Sequence, residues 1–438
     1  MMLRPLLGRP LLRTLARQAR TLAAVTASAA PHPTPATLLT QLDNGFRVAS
    51  EDTGMPTATV GIWIDAGSRY ENDRNNGTAH FLEHIIFKGT TNRRQESLEL
   101  EVENMGAHLN AYTSREQTVF YAKCLTDHLE HSVELLADLL QNSLLETTAI
   151  NRERGVILRE MQEVEQNLQE VVFDHMHAAA YADAPLARTI LGPRANIESI
   201  DRKDLKSYIE QHYVGPRMAL VAAGGIEHQR LVHLAQKHFA RPPPPDAQPP
   251  LLQDCPFHGG VSLHPDPAMP LLYAALTVEG QGWDSADNLA LMIGSTLIGQ
   301  WERGSGGLAA PSQLLAARVA DGLIPGAHSF QGFNTCYKDT GLWGVYFVCE
   351  ESAGPPMVRA IQEAWQEMCE RISEEDVERG KRLLATNMMM MLDGTTPIAE
   401  DIGRRQKLHL AQAGAEVHYD DRSLDPSANP SSSSFAYL

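Results

Sequence analysis

Cysteine is scarce in this sequence, and its pattern argues against two kinds of site. The chain has 438 residues but only five cysteines, which are widely spaced and form no C-x-x-C pair: Cys124, Cys255, Cys336, Cys349 and Cys369. A disulfide scaffold needs paired cysteines, and a structural zinc site of the cysteine type needs closely spaced ones. We therefore expect free thiols in a reducing compartment and no cysteine ligands for a metal ion.

Long apolar runs and an excess of positive charge are also absent. No stretch of 18 apolar residues occurs, so the sequence predicts no membrane-spanning segment. The formal net charge of −17 argues against nucleic acid and anionic membrane surfaces as partners. Such a charge suits a protein that attracts cationic partners. The length is sufficient for two domains, each with its own core.

Acidic residues are missing from the first 42 positions. This segment contains five arginines and no lysine, spaced among leucine, alanine, serine and threonine: Arg4, Arg9, Arg13, Arg17 and Arg20. The composition is typical of a mitochondrial presequence, a basic amphipathic helix removed after import. A disordered basic tail is the alternative, whereas a secretory signal would have a more continuous apolar run. We expect cleavage between Arg20 and Pro31, which would leave a more acidic mature chain.

The sequence does contain the pentad His80-Phe81-Leu82-Glu83-His84, which reads H-x-x-E-H, the reverse of the H-E-x-x-H zinc-protease motif. Histidines at i and i+4 lie on one face of a helix, about 6 Å apart, and can share one metal ion. Glu83 points to the same side and could polarise a metal-bound water. A catalytic zinc site needs three protein ligands, so a third must come from elsewhere.

An ordinary solvated helix face is the alternative interpretation of this pentad, because short motifs often occur by chance. The flanking residues argue against it here. A turn-like segment at 75–78 precedes the pentad, and apolar residues follow at 85–87. Together with Phe81 and Leu82, they predict a half-buried helix.

The best candidate for a third ligand lies on an acidic helix predicted at 152–181. At 100° per residue, five side chains on it fall within an arc of about 80°: Glu160, Glu163, Asn167, Glu170 and Asp174. A solvated helix face is the common explanation of such a line of acids. Beside a zinc motif, one end of the line could supply a ligand while the rest binds a cationic part of a substrate.

The order of elements predicts two copies of one α+β unit. Strands are expected at 57–65, 218–223, 271–278 and 341–349, a hairpin at 109–123, and helices at 97–105, 127–142, 147–181 and 285–298. The proline-rich segment 241–250 separates the copies as a stiff linker. The resulting domains are 1–42 (presequence and disordered lead-in), 43–240 (first domain, with the pentad), 241–256 (linker), 257–406 (second, incomplete domain) and 407–438 (divergent tail with the composition of disorder).

Several segments resemble the pitrilysin-type, inverted-motif metallopeptidases. They are 65–69, the pentad with 87–90, 105–112, 157–161, 339–344 and 392–397, within a resemblance that covers roughly residues 45–405. The resemblance implies two homologous α/β-sandwich domains, of which the second is truncated here. It also implies one Zn²⁺ per chain, held by His80, His84 and Glu160, with Glu83 as the general base.

The same resemblance implies roles for six further residues. Glu163 would be a carboxylate that orients a ligating histidine. Glu170 and Asp174 match an acidic pair that binds the arginine just before a cleavage site. Asn110, Ala111 and Tyr112 match the edge strand along which an extended substrate lies.

Within the family, two groups of proteins are similar to this chain. One is the zinc-bearing β-type subunit of the heterodimeric peptidase that removes basic presequences in the mitochondrial matrix with an α-type partner. The α-type partner would contribute a glycine-rich loop. The run Gly304-Ser305-Gly306-Gly307 is too short for that role, which agrees with β type. The other is the core I subunit of ubiquinol–cytochrome c reductase (respiratory complex III), on the matrix face of the inner membrane, where the metal site is commonly eroded. In some lineages one polypeptide has both the peptidase role and the role in complex III, so the two assignments are not exclusive.

Overall fold

The computed structural model of the chain describes residues 35–240, 252–305, 314–320, 322 and 324–408. We call residues 38–240 the first half and residues 252–408 the second half. Both belong to one compact unit that begins at Leu38. Most of the expected presequence, linker and tail lies outside the described residues, so the domain boundaries drawn from the sequence stay predictions.

The first half is built on a six-stranded sheet with strand order β1-β2-β6-β3-β5-β4. All neighbours are antiparallel except β2 and β6, which are parallel. The strands are β1 (Leu38–Gln41), β2 (Arg47–Asp52), β3 (Thr57–Ile64), β4 (His108–Thr113), β5 (Thr118–Leu125) and β6 (Met218–Gly224). β3 and β6 are central and buried on both faces, which explains their almost continuous apolar sequences.

Eight helices accompany this sheet: α1 (Thr78–Ile85), α2 (Gln95–Asn104), α3 (Leu129–Asn142), α4 (Thr147–Val164), α5 (Leu168–Tyr181), α6 (Arg194–Ser199), α7 (Arg202–His212) and α8 (His228–Phe239). The largest core cluster joins the inner sheet face, including Val60, Ile62 and Phe120, to apolar residues of these helices. Phe81 and Leu82 of the pentad belong to it, so α1 is anchored by the apolar side that its sequence predicts.

The second half repeats part of this plan. Its sheet has the order β7-β10-β9-β8, all antiparallel. The strands are β7 (Leu272–Gly280), β8 (Gln300–Glu302), β9 (Ala327–Cys336) and β10 (Gly341–Cys349), and the helices are α9 (Asn288–Ile298), α10 (Leu314–Ala320), α11 (Gly354–Arg371), α12 (Glu374–Met391) and α13 (Thr395–Leu408). None of the helices among the described residues is both long and apolar enough to cross a membrane.

Helix α13 belongs to the second half by sequence but packs on the outer face of the first-half sheet. Its Ala399 and Ile402 are buried against Trp63 and small residues of β2 and β6. A Cβ at Gly403 would lie 2.4 Å from the Trp63 ring, so glycine allows this close approach. The hydroxyl of Thr59 also hydrogen-bonds to those of Thr395 (2.8 Å) and Thr396 (2.9 Å). The second half is therefore joined to the first through the packing of α13 on the outer face of the first-half sheet.

Most elements expected from the sequence are present within a few residues, but two expectations are wrong. Residues Leu38–Gln41, expected to belong to a disordered lead-in, form β1 and pair with β2. The predicted single helix at 147–181 is two helices, α4 and α5, interrupted at Glu165–Asn167. The amides of Gln166 and Asn167 donate to carbonyls only three residues back, which tightens the chain into a turn. Asn167 then adopts a non-helical conformation before α5, a position that asparagine favours. The acidic side chains therefore do not form one continuous helical line.

Candidate metal centre

Helix α1 places three polar side chains of the pentad next to the core. It has eight residues and buries Ala79, Phe81, Leu82 and Ile85, while Glu83 and His84 are half-buried. His80 is 6% exposed. The rings of His80 and His84 lie 4.8 Å apart between centroids. The helical spacing thus gives the common face that the sequence predicts.

Helix α4 brings Glu160 to these histidines. The Nε2 of His80 lies 3.4 Å from Glu160 Oε1, and the Nε2 of His84 lies 3.1 Å from Glu160 Oε2. The three ligand atoms are all within 4.8 Å of one another. Two ligands of one zinc ion lie at most about 4 Å apart when each is about 2 Å from the metal. The two nitrogen–oxygen distances of 3.4 and 3.1 Å are below this limit, so two imidazoles and one carboxylate fit one zinc ion. The side chain of Glu160 is 36% exposed, so this group is accessible to solvent.

The electrostatics of the three residues are coupled. Hydrogen bonds from His80 and then His84 hold the pKa of Glu160 far below its usual range. Burial acts to lower the pKa of His84, but the hydrogen bond and charge of Glu160 outweigh it and raise that pKa overall. An ionised carboxylate and two imidazoles together form a set of ligands suited to a divalent cation.

A buried carboxylate that the sequence analysis missed stands behind His84. Glu153 is 5% exposed, and its Oε2 lies 3.7 Å from His84 Nδ1 while Oε1 lies 3.1 Å from Lys88 Nζ. Glu163, which was expected near a ligating histidine, is exposed instead. Glu153 precedes Glu160 by seven residues, so two full turns of α4 put both on one face. That spacing was the signal available in the sequence.

The two acids expected to bind a substrate arginine have different surroundings on α5. Glu170 is exposed and accepts a hydrogen bond from Asn167 Nδ2 at 2.8 Å. Asp174 accepts a hydrogen bond at 2.6 Å from Arg115, a buried residue of the β4–β5 turn that also donates to the Leu186 carbonyl. Much of the negative charge of Asp174 is therefore balanced within the protein.

The expected substrate strand is β4, at the edge of the first-half sheet. Among the described residues, β4 pairs only with β5, so its other edge has no strand beside it. Ala111 packs against the inner core, and Asn110 is exposed. Tyr112 donates its hydroxyl hydrogen to Glu400 of α13 at 2.7 Å. The edge is thus open to an extended peptide while Tyr112 is tied to the second half.

A second group with metal-ligand spacing lies elsewhere in the first half, formed by Glu101, His131 and Glu134. The guanidinium of Arg93 donates to both glutamates, at 2.8 and 2.7 Å, and to Asp138. Because this cation already occupies the carboxylates, the group is better explained as an ion-pair network than as a metal site.

The chain matches two models of known protein families. Residues 47–194 match the model of the insulinase family (peptidase family M16), and residues 199–384 match that of the peptidase M16 inactive domain. The chain is 56% identical over 372 residues to the mitochondrial-processing peptidase subunit beta of Bos taurus, covering 85% of this chain and 76% of that protein. For the human protein of that name the identity is 55% over 377 residues, with the same coverage.

Another relative is subunit 1 of the mitochondrial cytochrome b-c1 complex of Bos taurus, 48% identical over 373 residues, covering 84% of this chain and 77% of that protein. Two solved structures share the fold at 20% identity and a TM-score of 0.75. One is a chain of complex III2 from Candida albicans, with 86% of this chain and 90% of that chain covered, and the other is a protease from Helicobacter pylori, with 86% and 91% covered. The two-domain α+β fold expected from the sequence is confirmed.

Proposed function

Because the chain belongs to the insulinase-type peptidases, peptidase family M16, we propose that it is a zinc metalloendopeptidase subunit of β type. Its substrates would be proteins imported into mitochondria, from which it removes the N-terminal presequence together with an α-type subunit. The observation that carries the proposal is the meeting of His80 and His84 of α1 with Glu160 of α4. We place the protein in the matrix or on the matrix face of the inner membrane.

The chemistry divides between a bound zinc ion and the side chains of this chain. When bound by His80, His84 and Glu160, zinc would lower the pKa of a water molecule and polarise the scissile carbonyl. Glu83 accepts the proton that the attacking water loses, since it is half-buried and adjacent to His84 in the sequence. The same carboxyl group then donates that proton to the leaving amine. Glu153 orients the imidazole of His84.

Recognition of a presequence would rest on charge and on backbone pairing. Presequences are basic and the chain carries a formal net charge of −17, so long-range attraction favours their approach. The exposed Glu170 is available for an arginine side chain. The open edge of β4, including Asn110 and Ala111, can pair with an extended peptide.

A second candidate is a structural role as the core I type of subunit in respiratory complex III, with or without processing activity. It is supported by the 48% identity to subunit 1 of the cytochrome b-c1 complex and by the fold shared with a chain of complex III2. The retained set of His80, Glu83, His84 and Glu160 favours the peptidase, as does the higher identity of 56%.

The test is a cleavage assay combined with metal analysis, on the mature chain purified with its α-type partner. We expect one zinc per chain and cleavage of a basic presequence peptide. Glu83→Gln should retain zinc but lower kcat by about 10²–10⁴-fold, the usual contribution of a general base. Glu96→Gln, at an exposed position of α2, is the matched control and should leave cleavage unchanged. A chain that binds no zinc but copurifies stably with complex III would overturn the peptidase in favour of the structural role.

A further inference from the structure

A buried carboxylate lies at the beginning of the helix that carries the pentad. Glu71 is 4% exposed and stands six residues before Gly77, the residue at the N-cap position of α1. Neither Glu71 nor its contacts belong to the pentad or to the acidic positions of α4 and α5. Its side chain is directed at the first turn of α1 rather than at solvent.

The carboxylate of Glu71 supplies the N-terminal cap that α1 otherwise lacks. Gly77 has no side chain with which to cap the helix. Instead, Glu71 Oε2 accepts hydrogen bonds from the Gly77 amide and from Asn76 Nδ2, both at 2.9 Å, and Oε1 accepts one from the Ala79 amide at 2.7 Å. The first amides of a helix have no partner within it, and a negative charge is favoured there. One side chain therefore satisfies three donors at this end.

This cap is itself fixed to the loop that follows α5. Arg188 donates to the backbone carbonyl of Glu71 at 2.8 Å, and Asn76 Nδ2 also donates to the Thr189 carbonyl at 2.9 Å. Gly77 has φ +103°, and a Cβ there would lie 2.5 Å from the Leu191 carbonyl oxygen. Glu71 thus ties the start of α1 to a second, separate segment of the first half.

The consequence concerns the metal centre, because the amide held by Glu71 belongs to Ala79, the neighbour of His80. Helix α1 is only eight residues long, so a small shift at its N-terminus moves both histidines relative to Glu160 on α4. We propose that Glu71 is a positioning residue, which sets the place of α1 so that His80 and His84 meet Glu160 in a geometry suited to the metal. This inference rests on the proposed zinc site and adds a residue outside it.

The experiment compares Glu71→Gln with the wild-type chain, each purified with its α-type partner. The substitution keeps the shape of the side chain but removes its charge and one acceptor oxygen. Metal-free protein is titrated with Zn²⁺ against a chromophoric chelator, and Co²⁺-loaded protein is examined by visible absorption. We expect zinc affinity to fall by about 10–100-fold, as for other residues that orient metal ligands, and the Co²⁺ spectrum to change. With zinc at saturation, kcat should fall about tenfold or more while KM stays within about twofold.

Asp138→Asn is the matched control, because Asp138 is also buried (4% exposed) and accepts several hydrogen bonds, but from Thr90, Asn92 and Asn142, which are not part of α1. It should lower the melting temperature without changing zinc affinity. If Glu71→Gln does not fold, Asn76→Ala takes its place and should weaken zinc binding by about threefold or more. A Glu71→Gln or Asn76→Ala chain with wild-type zinc affinity and Co²⁺ spectrum would overturn the inference. Failure of the wild-type chain to bind zinc would instead overturn the proposed function.

Discussion

The two halves of the molecule share a three-stranded arrangement but differ in what surrounds it. In the first half, β3 pairs with β5 and β5 with β4, and in the second half β7 pairs with β10 and β10 with β9. On the far side of β3 the first half continues through β6, β2 and β1. Among the described residues, no strand pairs with the corresponding side of β7.

The helix that follows the first shared strand differs between the halves in the side chains of the candidate site. In the first half this is α1, with the sequence TAHFLEHI, and in the second half it is α9, with the sequence NLALMIGSTLI. The second has no histidine and no carboxylate, so it cannot supply ligands or a base. The same strand arrangement thus occurs with and without the candidate site, so that site depends on a few side chains and not on the fold.

The second half contributes instead to the support of the first. Asp339, in the β9–β10 turn, forms two hydrogen bonds with the buried guanidinium of Arg69, at 2.7 and 2.6 Å. The neighbouring Lys338 donates to Asp65 at 2.7 Å. These contacts reach the loop between β3 and α1, close in sequence to the pentad. The comparison therefore predicts a catalytic first half and a supporting second half.

The largest effect should follow the loss of a ligand in the first half. Glu160→Gln removes the carboxylate that both histidines contact. Zinc affinity and cleavage should each fall by more than about 100-fold, which exceeds the loss expected when a residue that only orients a metal ligand is removed. Metal analysis and the presequence assay measure the two losses. Glu375→Gln, an exposed position of α12 in the second half, should change neither. Equal loss in both variants would contradict the division of roles.

Breaking the contact between the halves should have the next largest effect, on stability. Arg69→Met leaves two acids without their cation: the buried Glu116, and Asp339, whose side chain is 33% exposed. The substitution should lower the free energy of unfolding by about 3–5 kcal/mol, mainly because Glu116 is buried. Urea denaturation measures it. Arg318→Met is the control, since its pairs with Glu363 and Glu367 lie at the surface of the second half and should be worth less than about 1 kcal/mol. If Arg69→Met and Arg318→Met lowered the free energy of unfolding equally, the contact of Arg69 with the second half would contribute little to stability.

A histidine between the halves predicts sensitivity to acid. Burial, followed by the nearby charge of Arg115, lowers the pKa of His177 to about 3. Its ring contacts the Phe173 carbonyl and the hydroxyl of Tyr337 in the second half, both at 2.6 Å. The unfolded chain binds a proton near pH 6.5 and the folded chain does not. Stability should therefore be complete above pH 6.5 and fall below it, by at most about 1.4 kcal/mol per pH unit down to about pH 3.

His177→Gln tests this by removing the titrating group while keeping a polar side chain. The slope of unfolding free energy between pH 6.5 and 5 should become shallower than in the wild-type chain. Replacement of His233, an exposed residue of α8, by glutamine should leave the slope unchanged. A slope that His177→Gln does not alter would contradict the assignment.

The smallest effect should come from the second group with metal-ligand spacing in the first half. His131→Ala removes one of its three members, but Arg93 already pairs with Glu101 and Glu134. Zinc content should stay at one ion per chain, measured by metal analysis after dialysis. A fall in content from two ions to one would show that the first half has a second site.

The sequence could predict what depends on local spacing. The pentad, the hairpin of β4 and β5, the strand β10 and the membership of a peptidase family all follow from short patterns that the structure or the comparisons confirm. It could not predict features that depend on distant partners. β9 has little alternation of apolar and polar residues, and its place is set by pairing with β10. The break between α4 and α5 was missed because a turn of three residues interrupts an otherwise helical composition.

Side-chain partnerships were the least predictable part of the site. The pairing of Asp174 with Arg115 joins residues 59 positions apart. The spacing of Glu153 and Glu160 indicates a shared face of α4, but it does not indicate that Glu153 lies beside His84 of another helix. The position of α13 on the first-half sheet likewise depends on Trp63 and Gly403, far apart in the chain. Such contacts are selected by packing in three dimensions, which periodicity does not report.

The position of α13 has a practical consequence for a chain that has been cut. Residues 241–251 provide the covalent connection between the halves, but Ala399 and Ile402 are buried against strands of the first half, and Arg69 binds Asp339 across the division. A single break in that connection would remove a peptide bond and none of these contacts. The two fragments should then elute together as one particle and separate only in denaturant. A cut chain that runs as two bands on a denaturing gel can therefore still be an assembled molecule in solution.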